Sequence, residues 1–151
     1  MNHCFFDNDV NQSRWRKLIY NGTMNPVCAL TRVDTGRLQI FGAEESILRP
    51  AMEEILQIAK SEGAHFKEEV IDLMLKLDDG VWCQPSMLVD VLKGNYIELE
   101  VLVGNPVKIA QRNGVSAPYL GLIYNLLKVV QNKTKESKGL ISIPKERPNR
   151  I

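Results

Sequence analysis

The chain has 151 residues, a length that suggests one domain, and its 44% hydrophobic and 25% charged residues are an ordinary globular mixture. Nineteen basic side chains against eighteen acidic ones leave a formal net charge of +1, which gives no field to attract DNA, RNA or an anionic membrane. No run of about 18 apolar residues occurs, so no membrane-spanning segment is predicted.

The cysteines argue against a disulfide framework and against a metal site. Cys4, Cys28 and Cys83 are odd in number and widely spaced, and no two of them form a Cys-x-x-Cys unit. His3 beside Cys4 lacks the further ligands that zinc needs, so no metal is expected. A reducing compartment fits this pattern, and residues 1–11 show no secretory or transit signal. The sequence therefore predicts a cytoplasmic protein.

The chain begins with a polar segment and a first helix. Residues 1–13 have little apolar pattern and are interpreted as a leader or the remnant of an interdomain linker. A helix is predicted from Ser13, a residue type that caps helix starts, through Met24. Pro26 is expected to kink or interrupt it because proline lacks a backbone donor. A turn is predicted at residues 34–36.

The clearest helix is predicted over residues 44–62, where apolar residues recur at spacings of three and four and Gly63 follows at a typical stop position. Further helices are predicted at residues 67–77, 86–93, 97–113 with Asn105-Pro106 inside, and about 118–133. No alternating strands and no internal repeat are found, so the predicted class is all-α. Residues 14–133 are predicted to form the helical domain, and residues 134–151 a basic, mobile tail.

A polar stripe runs along the predicted first helix. Lys17, Asn21 and Asn25 recur every four residues, and each step turns about 40° around the helix axis. Buried polar groups need hydrogen-bond partners, and a bound polar ligand would supply them. The alternative is that the two asparagines bond to neighbouring backbone and Lys17 extends to water. The stripe alone does not decide between these interpretations.

A second polar cluster combines Ser86 with Glu98, twelve residues later. Ser86 stands at a predicted helix start, where a serine hydroxyl most often caps the helix. Glu98 opens the next predicted helix, where the helix dipole favours a carboxylate whether or not it has a function. Each signal is weak by itself.

Together, these segments resemble the C-terminal domain of ketopantoate reductases (2-dehydropantoate 2-reductases). The matching segments are Lys17–Pro26 with Ala29-Leu30-Thr31, then Ser86-Met87 with Asp90, Gly94, Glu98, Glu100 and Gly104, and finally Gly114–Pro118. The resemblance covers about residues 14–133. It implies a helical bundle like the C-terminal domain of 6-phosphogluconate dehydrogenase-like reductases.

The resemblance also implies roles for five residues. Lys17 would be the catalytic proton donor and would contact the substrate's carbonyl. Asn21, Asn25 and Ser86 would hold the keto acid's carboxylate and hydroxyl together with Lys17. Glu98 would contact the nicotinamide cofactor and Lys17.

The implied reaction is the reduction of 2-dehydropantoate by NADPH, a step of pantothenate biosynthesis. Negative charge develops on the carbonyl oxygen, and an ammonium within hydrogen-bond reach stabilises and then protonates it. Two positions depart from the family pattern. Thr35 stands where some members have an asparagine that contacts the ligand, and Ile97 stands where a threonine usually precedes the glutamate, which removes a hydroxyl contact.

The sequence lacks a dinucleotide-binding segment of its own. None of its ten glycines forms a Gly-x-Gly-x-x-Gly turn between a strand and a helix. Family members carry such a domain ahead of the helical one, and it would bind most of the NADPH. The chain is therefore expected to be a fragment or an incomplete gene product, folded but inactive alone. Dimerisation through this domain is common in the family, so a homodimer is expected.

Two alternatives stay open. One is a related reductase of another branched 2-keto or 3-hydroxy acid, because such enzymes use a similar Lys–Asn pair. The other is a non-catalytic helical interaction or dimerisation module, in which apolar residues such as Leu122 and Leu126 face a partner chain.

Overall fold

A computed structural model describes residues 6–148 of the chain. Every regular element in that range is helical, which confirms the all-α prediction. The α-helices are α1 (Val10–Asn21), α2 (Met24–Thr31), α3 (Thr35–Ile40), α4 (Arg49–Ser61), α5 (Glu69–Leu75), α6 (Ser86–Lys93), α7 (Asn105–Asn113) and α8 (Pro118–Ser137). None of the helices in this part of the chain is long and apolar enough to cross a bilayer.

Helix α4 lies at the centre of the core. Ala51, Met52, Ile55 and Ile58 on its apolar face are completely buried, as the spacing of three and four predicts. It packs against α1, α5, α7 and α8, while α2 packs against α6 and α8. Helix α4 thus supports α1, which carries Lys17 and Asn21, while α2 and α6 pack against each other.

The first and last helices extend beyond their predicted ends. Helix α1 begins at Val10 because the Asp9 carboxylate accepts a hydrogen bond from the Gln12 backbone N–H at 3.0 Å. The predicted cap, Ser13, therefore lies inside the first turns of the helix. Helix α8 continues to Ser137, so the first residues of the predicted tail are helical. The division into domains at these points stays a prediction.

The chain breaks between α1 and α2, but the break is not at Pro26. The Gly22 N–H donates to the Leu18 carbonyl at 2.7 Å and ends α1. The Thr23 hydroxyl is fully buried and donates to the Ile19 carbonyl at 2.6 Å. Pro26 then lies in the first turn of α2, where its missing N–H loses no helical hydrogen bond.

Both α4 and α7 are preceded by one wide turn of π-helix, at Glu44–Leu48 and Glu100–Gly104. In each case a proline follows at the second position of the α-helix, Pro50 or Pro106. A proline ring crowds the carbonyl four residues before it, and a wider turn relieves this contact. The predicted helix over residues 97–113 therefore changes its winding before Pro106, and its first two predicted residues, 97 and 98, are not helical.

Helix α3 was not predicted, since Asp34-Thr35-Gly36 indicates a turn. The Asp34 carboxylate accepts from the Arg37 backbone N–H at 2.9 Å, which caps a short helix. The same residue types favour turns and helix starts because both need a side chain that binds free backbone N–H groups.

Candidate active site

Helices α1, α2 and α6, with the loop between α5 and α6, enclose a cleft of about 680 Å³, here called the substrate cleft. Lys17, Asn21, Asn25 and Ser86 all line it. The four residues come from segments up to 69 positions apart along the chain, and the packing of α2 against α6 brings them to one surface.

A second groove of about 590 Å³ lies on the other side of α1, here called the α1–α7 groove. Lys17 and Asn21 line this groove as well, together with Glu98. Its other walls include Trp15 and Asn105. Lys17 and Asn21 therefore face both grooves, while Glu98 lines only the second.

The resemblance implies that all five residues contact the bound reactants, and the structure distributes them over two grooves that share Lys17 and Asn21. Ser86 is on α6, which packs beside α2, whereas Glu98 precedes the π-turn on the opposite side of α1. Within residues 6–148 Lys17 makes no ion pair, so the implied contact between Lys17 and Glu98 is not formed. The site is a pair of grooves with a shared wall.

Asn25 is the most buried member of the polar stripe, with 4% of its surface exposed. It belongs to α2 and not to α1 as predicted, but its Nδ2 still donates to Asn21 Oδ1 at 3.5 Å across the break. Its Oδ1 has no hydrogen-bond partner among the described residues. A buried acceptor without a partner costs free energy, and such a group calls for a ligand or water.

Ser86 does not play the structural role that its position suggests. It is the first residue of α6, whereas Pro85 holds the cap position, and the helix start has no side-chain capping bond. The side chain is exposed on the wall of the substrate cleft. The hydroxyl therefore remains accessible to a ligand.

The structure adds three residues to the substrate cleft that the sequence did not single out: Tyr20, Asp78 and Cys83. The Tyr20 hydroxyl donates to Asp78 Oδ2. Burial, followed by this hydrogen bond, raises the pKa of Tyr20, so the phenol keeps its proton. Only the Asp78-Asp79-Gly80 turn was visible in the sequence, and nothing in it indicated which side chain faces α1.

The two described cysteines, Cys28 and Cys83, are free thiols, and Cys4 lies outside the described residues. Burial raises the pKa of Cys28 to about 12, and burial with the nearby Asp78 raises that of Cys83. Across residues 6–148 no three His, Cys, Asp or Glu side chains come together as metal ligands.

A close backbone approach joins α1 to the segment that carries Glu98. A Cβ atom on Gly22 would lie 2.8 Å from the Leu18 carbonyl oxygen and 3.0 Å from that of Leu102, in the π-turn. Only glycine fits there without a shift of backbone. This contact fixes the end of α1 against the π-turn, four residues after Glu98.

The same π-turn is held from its outer side. Glu100 accepts from Lys108 Nζ at 2.6 Å and from the Tyr124 hydroxyl at 2.7 Å. These hydrogen bonds lower the pKa of the Glu100 carboxyl. Helices α7 and α8 are thus both tied to the turn that follows Glu98.

The two positions that depart from the family pattern lie outside both grooves. Thr35 is buried, and its hydroxyl oxygen has no partner within residues 6–148; it lines a small cavity of about 10 Å³, which Asp78 also lines. Ile97 is buried and donates its backbone N–H to Gln131 Oε1 at 3.1 Å.

The family model described as "Ketopantoate reductase PanE/ApbA C terminal" matches residues 9–131. An uncharacterised protein of Saccharomyces cerevisiae is 46% identical over 145 residues, which are 93% of this chain and 41% of that protein. A 2-dehydropantoate 2-reductase of Nostoc sp. is 29% identical over 130 residues, 84% of this chain and 40% of the enzyme. The chain thus spans about two fifths of the length of these relatives.

Solved structures agree with this match. The crystal structure of 2-dehydropantoate 2-reductase from Methylococcus capsulatus superposes with a TM-score of 0.76 at 30% identity, covering 82% of this chain and 43% of that one. D-mandelate dehydrogenase with NADH and anilino(oxo)acetate gives a TM-score of 0.80 at 23% identity, covering 86% and 55%, a likeness of fold alone. The chain therefore belongs to the ketopantoate reductase family, and it corresponds to the family's C-terminal helical domain.

Proposed function

We propose that this chain supplies the substrate-binding, proton-donating side of the active site of an NADPH-dependent 2-dehydropantoate 2-reductase. The observation that carries the proposal is that Lys17 and Asn21 form the shared wall of two grooves. A keto acid in one groove and a nicotinamide ring in the other would both reach Lys17. Hydride transfer requires this kind of adjacency between two ligands.

The substrate cleft fits a small polar acid. The Lys17 ammonium and the hydroxyl of Ser86 can donate to a carboxylate or a carbonyl oxygen. The unpartnered Oδ1 of Asn25 can accept from a substrate hydroxyl, which would satisfy a buried group that the chain leaves without a partner. Asn21, hydrogen-bonded to Asn25, would fix the orientation of that amide.

The α1–α7 groove fits one face of a nicotinamide ring. Trp15 and Leu18 give it apolar surface, and Glu98 and Asn105 give it hydrogen-bonding groups at its edge. When bound, the reduced cofactor supplies the hydride. The described residues contain no strand and no glycine-rich turn, so the rest of the dinucleotide would be held by the domain that the family places ahead of this one.

Lys17 is the residue for which we propose a catalytic role. Its ammonium makes no ion pair among the described residues, so its three donors are not committed to another side chain of this chain. As charge builds on the substrate oxygen, it would stabilise that charge and then give up a proton. Amides and a hydroxyl orient the acid without neutralising the ammonium.

The proposal has four further parts: the enzyme prefers NADPH, acts in pantothenate biosynthesis, is cytoplasmic and assembles as a homodimer. The ketopantoate reductase of Staphylococcus aureus, whose fold matches at a TM-score of 0.79, is described as dimeric. The runner-up function is the reduction of a different branched 2-keto or 3-hydroxy acid, which the same Lys–Asn pair would serve.

A non-catalytic helical module is the third candidate. Leu122, Leu126 and Val129 are exposed along one side of α8 and could contact a partner. The buried Oδ1 of Asn25, which has no partner among the described residues, favours the ligand-binding function over this one, because a purely structural helix would be more stable without such an acceptor.

The test is to fuse the chain behind a dinucleotide-binding domain of the family and to follow NADPH oxidation with 2-dehydropantoate. Lys17→Ala is expected to lower kcat by about a thousandfold, within the range for loss of a general acid that also stabilises charge. The matched control is Lys60→Ala. Lys60 is an exposed lysine on α4, 43 positions after Lys17 in the sequence, and its loss should leave kcat unchanged. Equal turnover of the two variants would reject the catalytic role.

A further inference from the structure

The loop between α5 and α6 places a carboxylate opposite the polar stripe. Asp78 is half-buried and lines the substrate cleft together with Lys17, Asn25 and Ser86. No proposed role in the reaction uses it. A carboxylate in a cleft of about 680 Å³ will interact with any charged or polar group that the ligand carries.

The carboxylate of Asp78 is held in place but is not neutralised. The Tyr20 hydroxyl donates to it, and Tyr20 is the residue directly before Asn21 on α1. Among residues 6–148 the Asp78 carboxylate forms no ion pair with a lysine or an arginine, although Arg16 and Lys17 line the same cleft. The cleft therefore contains both signs of charge, at separate places.

The substrate cleft contains hydrogen-bond acceptors as well as the cations of α1. Asn25 Oδ1 is buried without a partner, and Asp78 retains acceptor capacity beyond the bond from Tyr20. The donors are Lys17 and Arg16, which suit the carboxylate and carbonyl of a keto acid. A ligand that satisfies both sets has an anionic head and a hydrogen-bond donor on its side chain.

We propose that Asp78 determines the specificity of the substrate cleft: it accepts a hydrogen bond from a hydroxyl or ammonium group on the side chain of a 2-keto acid and repels keto acids with a second carboxylate. This inference rests on the proposed function.

Two substitutions separate hydrogen bonding from charge. Asp78→Asn keeps an acceptor for Tyr20 and for the substrate but removes the charge, whereas Asp78→Ala removes both. Asp79→Asn is the matched control, because Asp79 is the next residue of the same turn and does not line the cleft.

The measurement is calorimetric titration of the chain and its variants with 4-hydroxy-2-oxobutanoate, 2-oxobutanoate and 2-oxoglutarate, with folding checked by circular dichroism. The chain is expected to prefer the hydroxy acid to 2-oxobutanoate by about tenfold. Asp78→Asn should keep this preference and bind 2-oxoglutarate about tenfold more tightly, because like charges are no longer opposed. Asp78→Ala should lose the preference as well.

The outcomes separate this inference from the proposed function. If both Asp78 variants discriminate as the unchanged chain does, while Lys17→Ala loses keto acid binding, the specificity role is rejected and the function stands. An equal gain in 2-oxoglutarate affinity from Asp79→Asn also rejects it, since any nearby charge would then suffice. If none of the three acids binds, both proposals fail.

Discussion

Two buried polar side chains, Glu54 on α4 and Asn25 on α2, show opposite solutions to the same problem. Glu54 is 8% exposed and accepts from the backbone N–H groups of Tyr119 at 2.9 Å and Leu120 at 2.8 Å. It thereby caps the start of α8 from a distant helix. Asn25 is 4% exposed, yet its Oδ1 has no partner among the described residues.

The difference separates structural polar groups from ligand-binding ones. Glu54 completes the hydrogen bonding of the fold, so the folded chain alone satisfies it. Asn25 leaves an acceptor that no described residue satisfies, and it lies in the wall of a cleft. Burial alone would rank the two residues as equivalent; the hydrogen-bond partners distinguish them.

The largest effect on stability is expected for Glu54→Ala. The change leaves two N–H groups at the start of α8 without an acceptor, which should lower the free energy of unfolding by about 3 kcal/mol. Urea denaturation followed by circular dichroism measures it. Glu53→Ala, at the exposed neighbouring position, should change the free energy by less than about 0.5 kcal/mol. Equal losses would mean that the contact to α8 contributes nothing.

Gly22→Ala is expected to have the second-largest effect. The new Cβ would meet two backbone carbonyl oxygens that cannot move independently, so the free energy of unfolding should fall by about 2 kcal/mol. Gly121→Ala in α8 is the control, because a Cβ there meets open space and alanine favours helix. It should stabilise the chain by a few tenths of a kcal/mol to about 1 kcal/mol. The same denaturation curves measure both.

Asn25→Ala tests the second residue of the comparison, the one assigned to ligand binding. Removing an amide that makes one long hydrogen bond, to Asn21, and leaves its oxygen without a partner among the described residues should change the free energy of unfolding by at most about 1 kcal/mol. Affinity for a hydroxylated 2-keto acid should fall at least about tenfold in calorimetric titration. A destabilisation as large as that of Glu54→Ala, without loss of affinity, would assign Asn25 to the fold and not to a ligand.

The smallest effect concerns acid pH. The Arg37 backbone N–H, with the Arg37 side chain, holds the pKa of Asp34 below its usual value. A carboxyl with a lowered folded-state pKa contributes stability above its unfolded pKa and loses it as pH falls through the folded value. Asp34→Asn should therefore unfold with a flatter pH dependence below about pH 4, measured by thermal melts from pH 7 to pH 2. If the melting temperatures of Asp34→Asn and of the unchanged chain fall equally below about pH 4, this prediction is contradicted.

Periodic helices could be predicted well from the sequence. The apolar spacing over residues 44–62 marked the central helix, and α6 occupies residues 86–93 as predicted. At Gly94 and Gly114 the backbone adopts a positive φ, the conformation for which a glycine after a helix is the usual signal. Helix starts were less predictable, because Asp9 and Asp34 cap helices with residue types that also favour turns.

The membership of the grooves could be predicted only in part. The repeat at Lys17, Asn21 and Asn25 follows from local spacing, and it survives the break after Gly22. The position of Asp78 against Tyr20 depends on how the α5–α6 loop packs against α1, which no local pattern encodes. The division into two grooves likewise follows from tertiary packing, since Ser86 and Glu98 lie only twelve residues apart in sequence.

Lys17 and Asn21 of α1 border both grooves, so a ligand in either one contacts the same two side chains. A rotation of this helix that brings Lys17 deeper into one groove withdraws it from the other. Where occupation of one groove changes the affinity of the other, linkage requires the same factor in both directions. Substitutions of these two side chains will not be additive in a double-mutant cycle.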